Sequence, residues 1–314
     1  GSLMGINYNE IESNSVGNKE DYEMYSMDFE EFLWAKGYKE EQIESLYQHM
    51  KNLTPLSETE LSVMFENFKE YMVIGGMPAI VNNFVKNKNY SGTLKMQKQI
   101  LLDYEEDITK YAGGLEHGKI LNVYRKIPVF LGNENKKFQI SKVESGARNR
   151  EYVGTIEWLN DAGIINVCYC LEQPELPLGG NYNPDNYRLY FRDTGLLIGS
   201  LDEEAQEDLR NNKNFNTYKG AIYENIVGDM LDDGCCLFVI DEGSCFQDEL
   251  FRVILELIEH RFFNADQNLY NRLAGQLGFS HQLANQVILD ALTGVNFGLW
   301  VILMLIRFCE SRAI

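Results

Sequence analysis

Apolar positions recur at helical spacing along most of this chain, and strand-like runs are concentrated in one stretch. A helix opens within Tyr25–Ala35, where Phe29, Phe32 and Leu33 share a face. Asp28 can cap it, with Glu31 three residues on as in a capping box. Amphipathic helices follow over 40–51 and 57–73, the second capped by Ser57 with Leu61, Phe65, Phe68 and Met72 at helical spacing. Gly75-Gly76-Met77-Pro78-Ala79 breaks the pattern, and helices resume over 81–85, 93–111 and 119–131.

The stretch from Phe138 to Phe191 organises the rest. Ile140 to Glu144 predicts a short helix, Ser145-Gly146 a turn, and Asn149 to Ala162 a second helix with Tyr152, Val153, Ile156 and Leu159 on its apolar face. Gly163 stops that helix, and the Ile- and Val-rich run Ile164 to Cys170 reads as a strand. A loop with Pro174, Pro177, Gly179, Gly180 and Pro184 leads to a second strand, Tyr187 to Phe191. Two helices followed by a hairpin make a winged helix.

Beyond this, Asp248 to Phe263 is amphipathic, with Leu250, Val253, Ile254, Leu257 and Ile258 on one side. Leu273 to Ser280, followed by Leu283, Ala284 and Val287, has the spacing of a helix-turn-helix or of an ordinary helical hairpin. Residues 220–314 carry 5 Arg against 13 acidic residues, which favours the hairpin. The expected fold is therefore mainly α with a small β component: a helical segment, a winged helix-turn-helix, then a helical tail. The longest apolar run, Leu299 to Ile306, has eight residues where a membrane span needs about twenty, so no membrane partner is expected.

Charge decides between the uses of a winged helix. Lys136, Lys137, Lys142, Arg148 and Arg150 against Glu144 and Glu151 give a mild local basic excess, and a DNA-contacting set would be Lys142, Ser145, Arg148, Asn149 and Arg150. The whole chain, with 28 basic and 47 acidic residues, has a net charge of -19, which repels a polyanion at long range. That balance favours a packing or lid module over a DNA reader. Six cysteines, including Cys168 with Cys170 and the adjacent Cys235 and Cys236, fit neither a zinc spacing nor a secreted disulfide framework. They read as reduced thiols of a cytoplasmic protein.

Motifs for catalysis are absent. Neither GxxxxGK[ST] nor GxGxxG occurs, so the two glycines at 75–76 are not a phosphate loop. No GxSxG is present, no Cys has a nearby His to activate it, and His49, His117, His260 and His281 lie scattered without HExxH. Glu105, Glu106 and Asp107, between Tyr104 and Tyr111, read as an acidic solvated helix face rather than paired catalytic carboxylates. No metal site is expected.

Six phrases in order carry a resemblance: YSMDFEEFLWAKG, YMVIGGMPAIV, LLDYEEDITKYA, NKKFQISKVESGARNREYVGTIEWLNDAGII, YFRDTGLL and KGAIYENIV. Together they resemble the C-terminal half of a prokaryotic family in which an AAA-type ATP-binding domain is followed by a helical segment, a winged helix and a nuclease-like end. The resemblance covers about residues 1 to 231.

The resemblance implies that the phosphate-binding loop lies upstream of Gly1. The opening GSLMG is similar to the end of the family's sensor strand, making Ser2 a relic of a nucleotide-sensing site. Without the loop, this chain should not hydrolyse ATP by itself, and ATP and Mg2+ belong to the intact family. Glu224, in KGAIYEN, would be the first acidic residue of a nuclease metal site. Such a core also needs an Asp and a Glu-x-Lys on adjacent strands, yet all 17 lysines fall in the first 219 residues, leaving Glu224 an orphan. The implied organisation is 1–24 as an edge of the ATPase core, 25–131 as a lid-like helical segment, 132–231 as winged helix and start of the nuclease-like part, and 232–314 as a helical tail unlike the family. The expected function is a regulatory, coupling portion of an AAA-type ATP-binding protein, with an ATPase core or another protein as partner. A DNA-binding regulator and a protein-interaction or toxin-antitoxin type module are the alternatives.

Overall fold

The computed structural model describes residues 24–51, 56–112, 116–133, 137–171, 180–211, 218–230 and 237–240. The protein is mainly α with a small β component. The described residues fall into two compact units, one within 24–27, 72–169 and 184–237, the other within 28–71, 170–183 and 238–240. The tail helices expected beyond residue 240, and Ser2, lie outside the described residues.

In the second unit, α1 (Phe29–Ala35) and α2 (Glu40–Lys51) precede the first turns of α3 (Glu58–Ile74). Asp28 caps α1 with the reciprocal bonds of a capping box: its carboxylate accepts from the Glu31 amide at 2.8 Å and Glu31 accepts from the Asp28 amide at 3.0 Å. Phe29, Phe32 and Leu33 are fully buried, as the spacing predicts. Phe29 meets Phe68 edge to face at 5.5 Å and Tyr71 at 5.6 Å, so aromatic packing joins α1 to α3. Asn67, 5% exposed, is satisfied by donating to the Tyr38 hydroxyl at 2.9 Å and to the Val63 carbonyl at 2.8 Å, and by accepting from Lys36.

The first unit holds the remaining helices and most of the strand residues. Here α4 (Pro78–Asn87), α5 (Thr93–Tyr111) and α6 (Glu116–Leu131) pack in sequence, each on the next. Proline at the first position of α4 fits because that amide would have no partner in the helix. The Arg125 guanidinium grips Glu105 with two bonds, at 2.9 and 2.6 Å, joining α6 to α5. The short helix α7 (Ile140–Val143), a 3-10 turn (Asn149–Glu151) and α8 (Val153–Asp161) follow. Gly163, at φ 67°, ends α8 in the left-handed region that glycine enters without strain. Strands β1 (Ile165–Leu171) and β2 (Tyr182–Phe191) come next, and with β3 (Leu237–Ile240) they form a sheet of order β2-β1-β3. Helix, turn, helix and strands thus follow one another in the order that the sequence predicts.

Two expectations need correction. Val153 does not join the apolar face of the second helix: it is 48% exposed, while Tyr152, Ile156 and Leu159 are buried. Tyr152, Ile156 and Leu159 follow one another at i, i+4 and i+7, whereas Val153 stands about 100° round the helix from Tyr152, toward the exposed Glu157 and Asp161. The second strand starts at Tyr182 rather than Tyr187, because a polar, half-exposed strand end carries no hydrophobic signal.

The chain closes over this layer with α9 (Thr194–Gly199), α10 (Glu203–Asn211) and α11 (Lys219–Met230). All six residues of α9 are buried, and it packs against α5 and α11. A helix so short is marginal by itself, so its ends must be held by other elements.

Candidate functional site

Those ends are held by side chains that bond to backbone. At its N-terminus, Asp193 is fully buried and caps α9, accepting from the Leu196 amide at 3.1 Å. The same carboxylate accepts from the Gly76 amide at 2.7 Å, and the amides of Gly195 and Met77 also bond to it. Met77 is the N-cap of α4. One carboxylate therefore sits at the N-terminal ends of two helices, where unpaired amides and the positive ends of both dipoles face it. Burial nonetheless outweighs the four amide donors and pushes its pKa up to about 6.

The backbone approach here leaves no room for side chains. A Cβ on Gly195 would lie 2.2 Å from the Ile74 carbonyl oxygen, and one on Gly76 would lie 2.0 Å from that of Met27. Gly75 combines a φ of 75° with a Cβ position 2.2 Å from the Asp193 carboxylate. Glycine is thus required at all three positions by contact, and at Gly75 also by conformation. The segment preceding α1 enters the same junction: the Met27 amide donates to the Gly76 carbonyl at 2.8 Å and the Ser26 hydroxyl to the Arg192 carbonyl at 3.2 Å.

The far end of α9 is tied to the same place. Gln97, fully buried on α5, donates to the Val73 and Ile74 carbonyls at 2.8 and 3.1 Å, completing the C-terminal end of α3. Its own carbonyl accepts from Arg210 of α10 at 2.6 Å. Gln206 of α10 donates to the Gly199 carbonyl at 3.2 Å and also to Leu201. From α11, Asn225 grips the end of β2 as a further strand would, accepting from the Phe191 amide at 2.8 Å and donating to its carbonyl at 3.0 Å. The junction thus joins the ends of α3, α4, α9 and β2.

The residues expected to face DNA lie elsewhere in this unit, about the turn before α8. Lys142, Ser145, Arg148 and Arg150 are exposed. Asn149 is half-buried and donates to the Asp185 carboxylate of β2 at 2.8 Å, so it fastens the turn to that strand. Glu151 accepts from the Arg148 amide at 3.3 Å, and Glu144 accepts from the Tyr152 hydroxyl. No cation stands on α8, whose sequence is VGTIEWLND; its exposed positions are Val153, Gly154, Glu157 and Asp161. Glu224 pairs with Arg188 at 3.2 Å. Among the described residues, no three His, Cys, Asp or Glu side chains gather as a metal site would need, and no helix is long and apolar enough to cross a membrane. Cys168 and Cys170 stand in β1 as thiols.

Asp193 and Asn225 are the functional candidates that residue-by-residue reasoning missed. The available signal was local: an Asp directly before Thr-Gly and an apolar run is an N-cap pattern, and Gly-Gly directly before Met-Pro marks a close approach at a helix start. A family model described as a domain of unknown function (DUF8612) matches residues 65–207, a stretch that contains the Gly75–Met77 turn, Gln97, α7 to α9 and Asp193. No curated protein matches the chain, and no solved structure matches it.

Proposed function

We propose that this chain is a regulatory, coupling portion of an AAA-type ATP-binding protein and does not hydrolyse ATP alone. The observation that carries the reading is the junction at Gly76 and Asp193. The segment leading into α1 is bonded there to the turn before α4 and to the residue that follows β2. A displacement of that segment therefore reaches the end of the winged-helix hairpin and the start of α9 through backbone hydrogen bonds. ATP and Mg2+ would be held by the ATPase core, in the cytoplasm, and the core would be the first partner.

The test begins at the source locus, read in all frames upstream of Gly1. A GxxxxGK[ST] loop in a strand-loop-helix setting in frame supplies the core; an upstream frame without one overturns the reading. In that longer chain, ATP binding should alter hydrogen exchange at the Gly76 and Leu196 amides. Met27→Pro removes the donor to Gly76 and should abolish that response while leaving nucleotide affinity unchanged.

A second reading, duplex DNA binding, is supported by the exposure of Lys142, Ser145, Arg148 and Arg150 about one turn. It predicts salt-dependent binding lost on Arg148→Ala with Arg150→Ala. Absence of binding in low salt removes it.

A further inference from the structure

The second helix of a winged helix is the element that enters a groove when the fold reads DNA, and its outer face must then be basic or polar. Here that face carries Glu157 and Asp161 with the exposed Val153, while the cations Arg148 and Arg150 precede it. In chain order the exposed charges are thus basic before the helix and acidic along it. Between the two ends lies Gly154, exposed within the first turn of the helix. A Cβ there would meet no atom within 4 Å among the described residues, and none of these requires glycine. Glycine in a helix costs roughly 1 kcal/mol relative to alanine, and close approach by a second backbone is one reason to keep it.

The arrangement is self-complementary. Arg150 and Arg148 lie four and six residues before Gly154, on the 3-10 turn and at its N-cap, and Glu157 and Asp161 lie three and seven residues after it on α8. Two copies of α8 laid antiparallel across each other at Gly154 would bring the basic end of each onto the acidic end of the other. Val153 would meet its counterpart at the centre, covering a side chain otherwise half in water. Of the two acidic residues on the basic side, Glu151 accepts from the Arg148 amide and Glu144 from the Tyr152 hydroxyl.

We propose that the outer face of α8 binds a second copy of this chain in a two-fold antiparallel contact centred on Gly154. A single helix-on-helix contact belongs to the small, transient class of interfaces, so the dimer forms at high protein concentration and weakens with salt. Two-fold symmetry makes every substitution act twice.

Sedimentation equilibrium of the full chain, over a range of concentrations and salt, tests this. The wild type should dimerise reversibly. Gly154→Leu, which projects into open space in the monomer, should keep or raise the melting temperature and abolish the dimer. Arg150→Glu and Glu157→Arg should each weaken association by about tenfold or more, and the double exchange should restore it, because like charges become opposite again. A monomer at all concentrations overturns the proposal. So does a dimer indifferent to Gly154→Leu, or a double exchange that fails to recover association. Low-salt binding of a labelled duplex by a wild type that stays monomeric would assign the face to nucleic acid, and overturns it equally.

Discussion

The junction around Asp193 and the turn before α8 are both short stretches rich in glycine and charge, within one compact unit, yet they behave as opposites. At the junction, the glycines are crossed by backbone at separations a side chain could not survive, and the carboxylate is sealed from water. At the turn, Gly146 and Gly154 face open space among the described residues, and Lys142, Arg148 and Arg150 lie in solvent. Glycine at the junction answers a demand made by the rest of the fold. Glycine at Gly154 answers none made by the described residues. The comparison separates residues that hold the molecule together from residues available to something outside it.

The largest effect should come from filling the junction. Gly195→Ala places a methyl group against the Ile74 carbonyl, which belongs to the end of a helix and cannot rotate away. Relief requires moving α9 away from α3, at the expense of the bonds from the Asp193 cap. Overpacking typically costs about 1–3 kcal/mol, and a clash with backbone belongs at or above the upper end. Chemical denaturation of Gly195→Ala should therefore show a loss of about 3 kcal/mol or more. A variant as stable as the wild type would mean that the junction is looser than its geometry implies.

Less drastic, and more specific to the buried charge, is the pH dependence of stability. The Asp193 pKa is raised from 3.8 to about 6 in the folded protein, so the native state binds this proton more tightly than the unfolded chain does. Its contribution is then fully present below the unfolded value near 3.8 and is lost as pH rises through about 6. A rise of that size is equivalent to at most about 3 kcal/mol. Asp193→Asn removes this titration and leaves an amide group facing amide donors, so it should be the less stable protein at every pH. The stability gap between wild type and variant should be wider at pH 4 than at pH 7. A gap that narrows with acid would show that the four amide donors and two helix ends, not burial, govern the carboxyl.

How much of this is legible in the sequence follows the range of the interactions. The Asp28 capping box, the α2 boundaries and the stop at Gly163 are set by residues within one turn of each other, and the sequence pattern predicts each. Charge alone puts Lys142, Arg148 and Arg150 on the surface, and they are exposed. Asn149 falls in with them only because it is polar and adjacent. Its bond to Asp185 spans 36 residues, a contact that no local pattern encodes. The junction is the extreme case: Gly76 and Asp193 lie 117 residues apart. Gly75-Gly76 signals only that a helix breaks there, and Asp193 only that a helix can begin; their meeting is a property of the fold. Val153 fails for a different reason: it directly follows the buried Tyr152, so a turn of about 100° carries it off the face that Tyr152, Ile156 and Leu159 share.

The smallest effect, and the opposite sign, belongs to the open side of the comparison. Gly154→Ala adds a methyl group that meets no described atom within 4 Å, at a helical position with no positive φ to defend. The substitution restricts the unfolded chain and improves helix propensity, so the folded protein should gain about 0.5–1 kcal/mol. Thermal unfolding in dilute solution, where association plays no part, would register a higher midpoint. Gly195→Ala and Gly154→Ala are the same chemical change in the same unit, and their effects should differ in sign because one methyl group meets a carbonyl and the other meets water. A loss of stability at Gly154 in dilute protein would mean that some part of the chain packs over α8, and the outer face would then belong to the fold rather than to a second molecule.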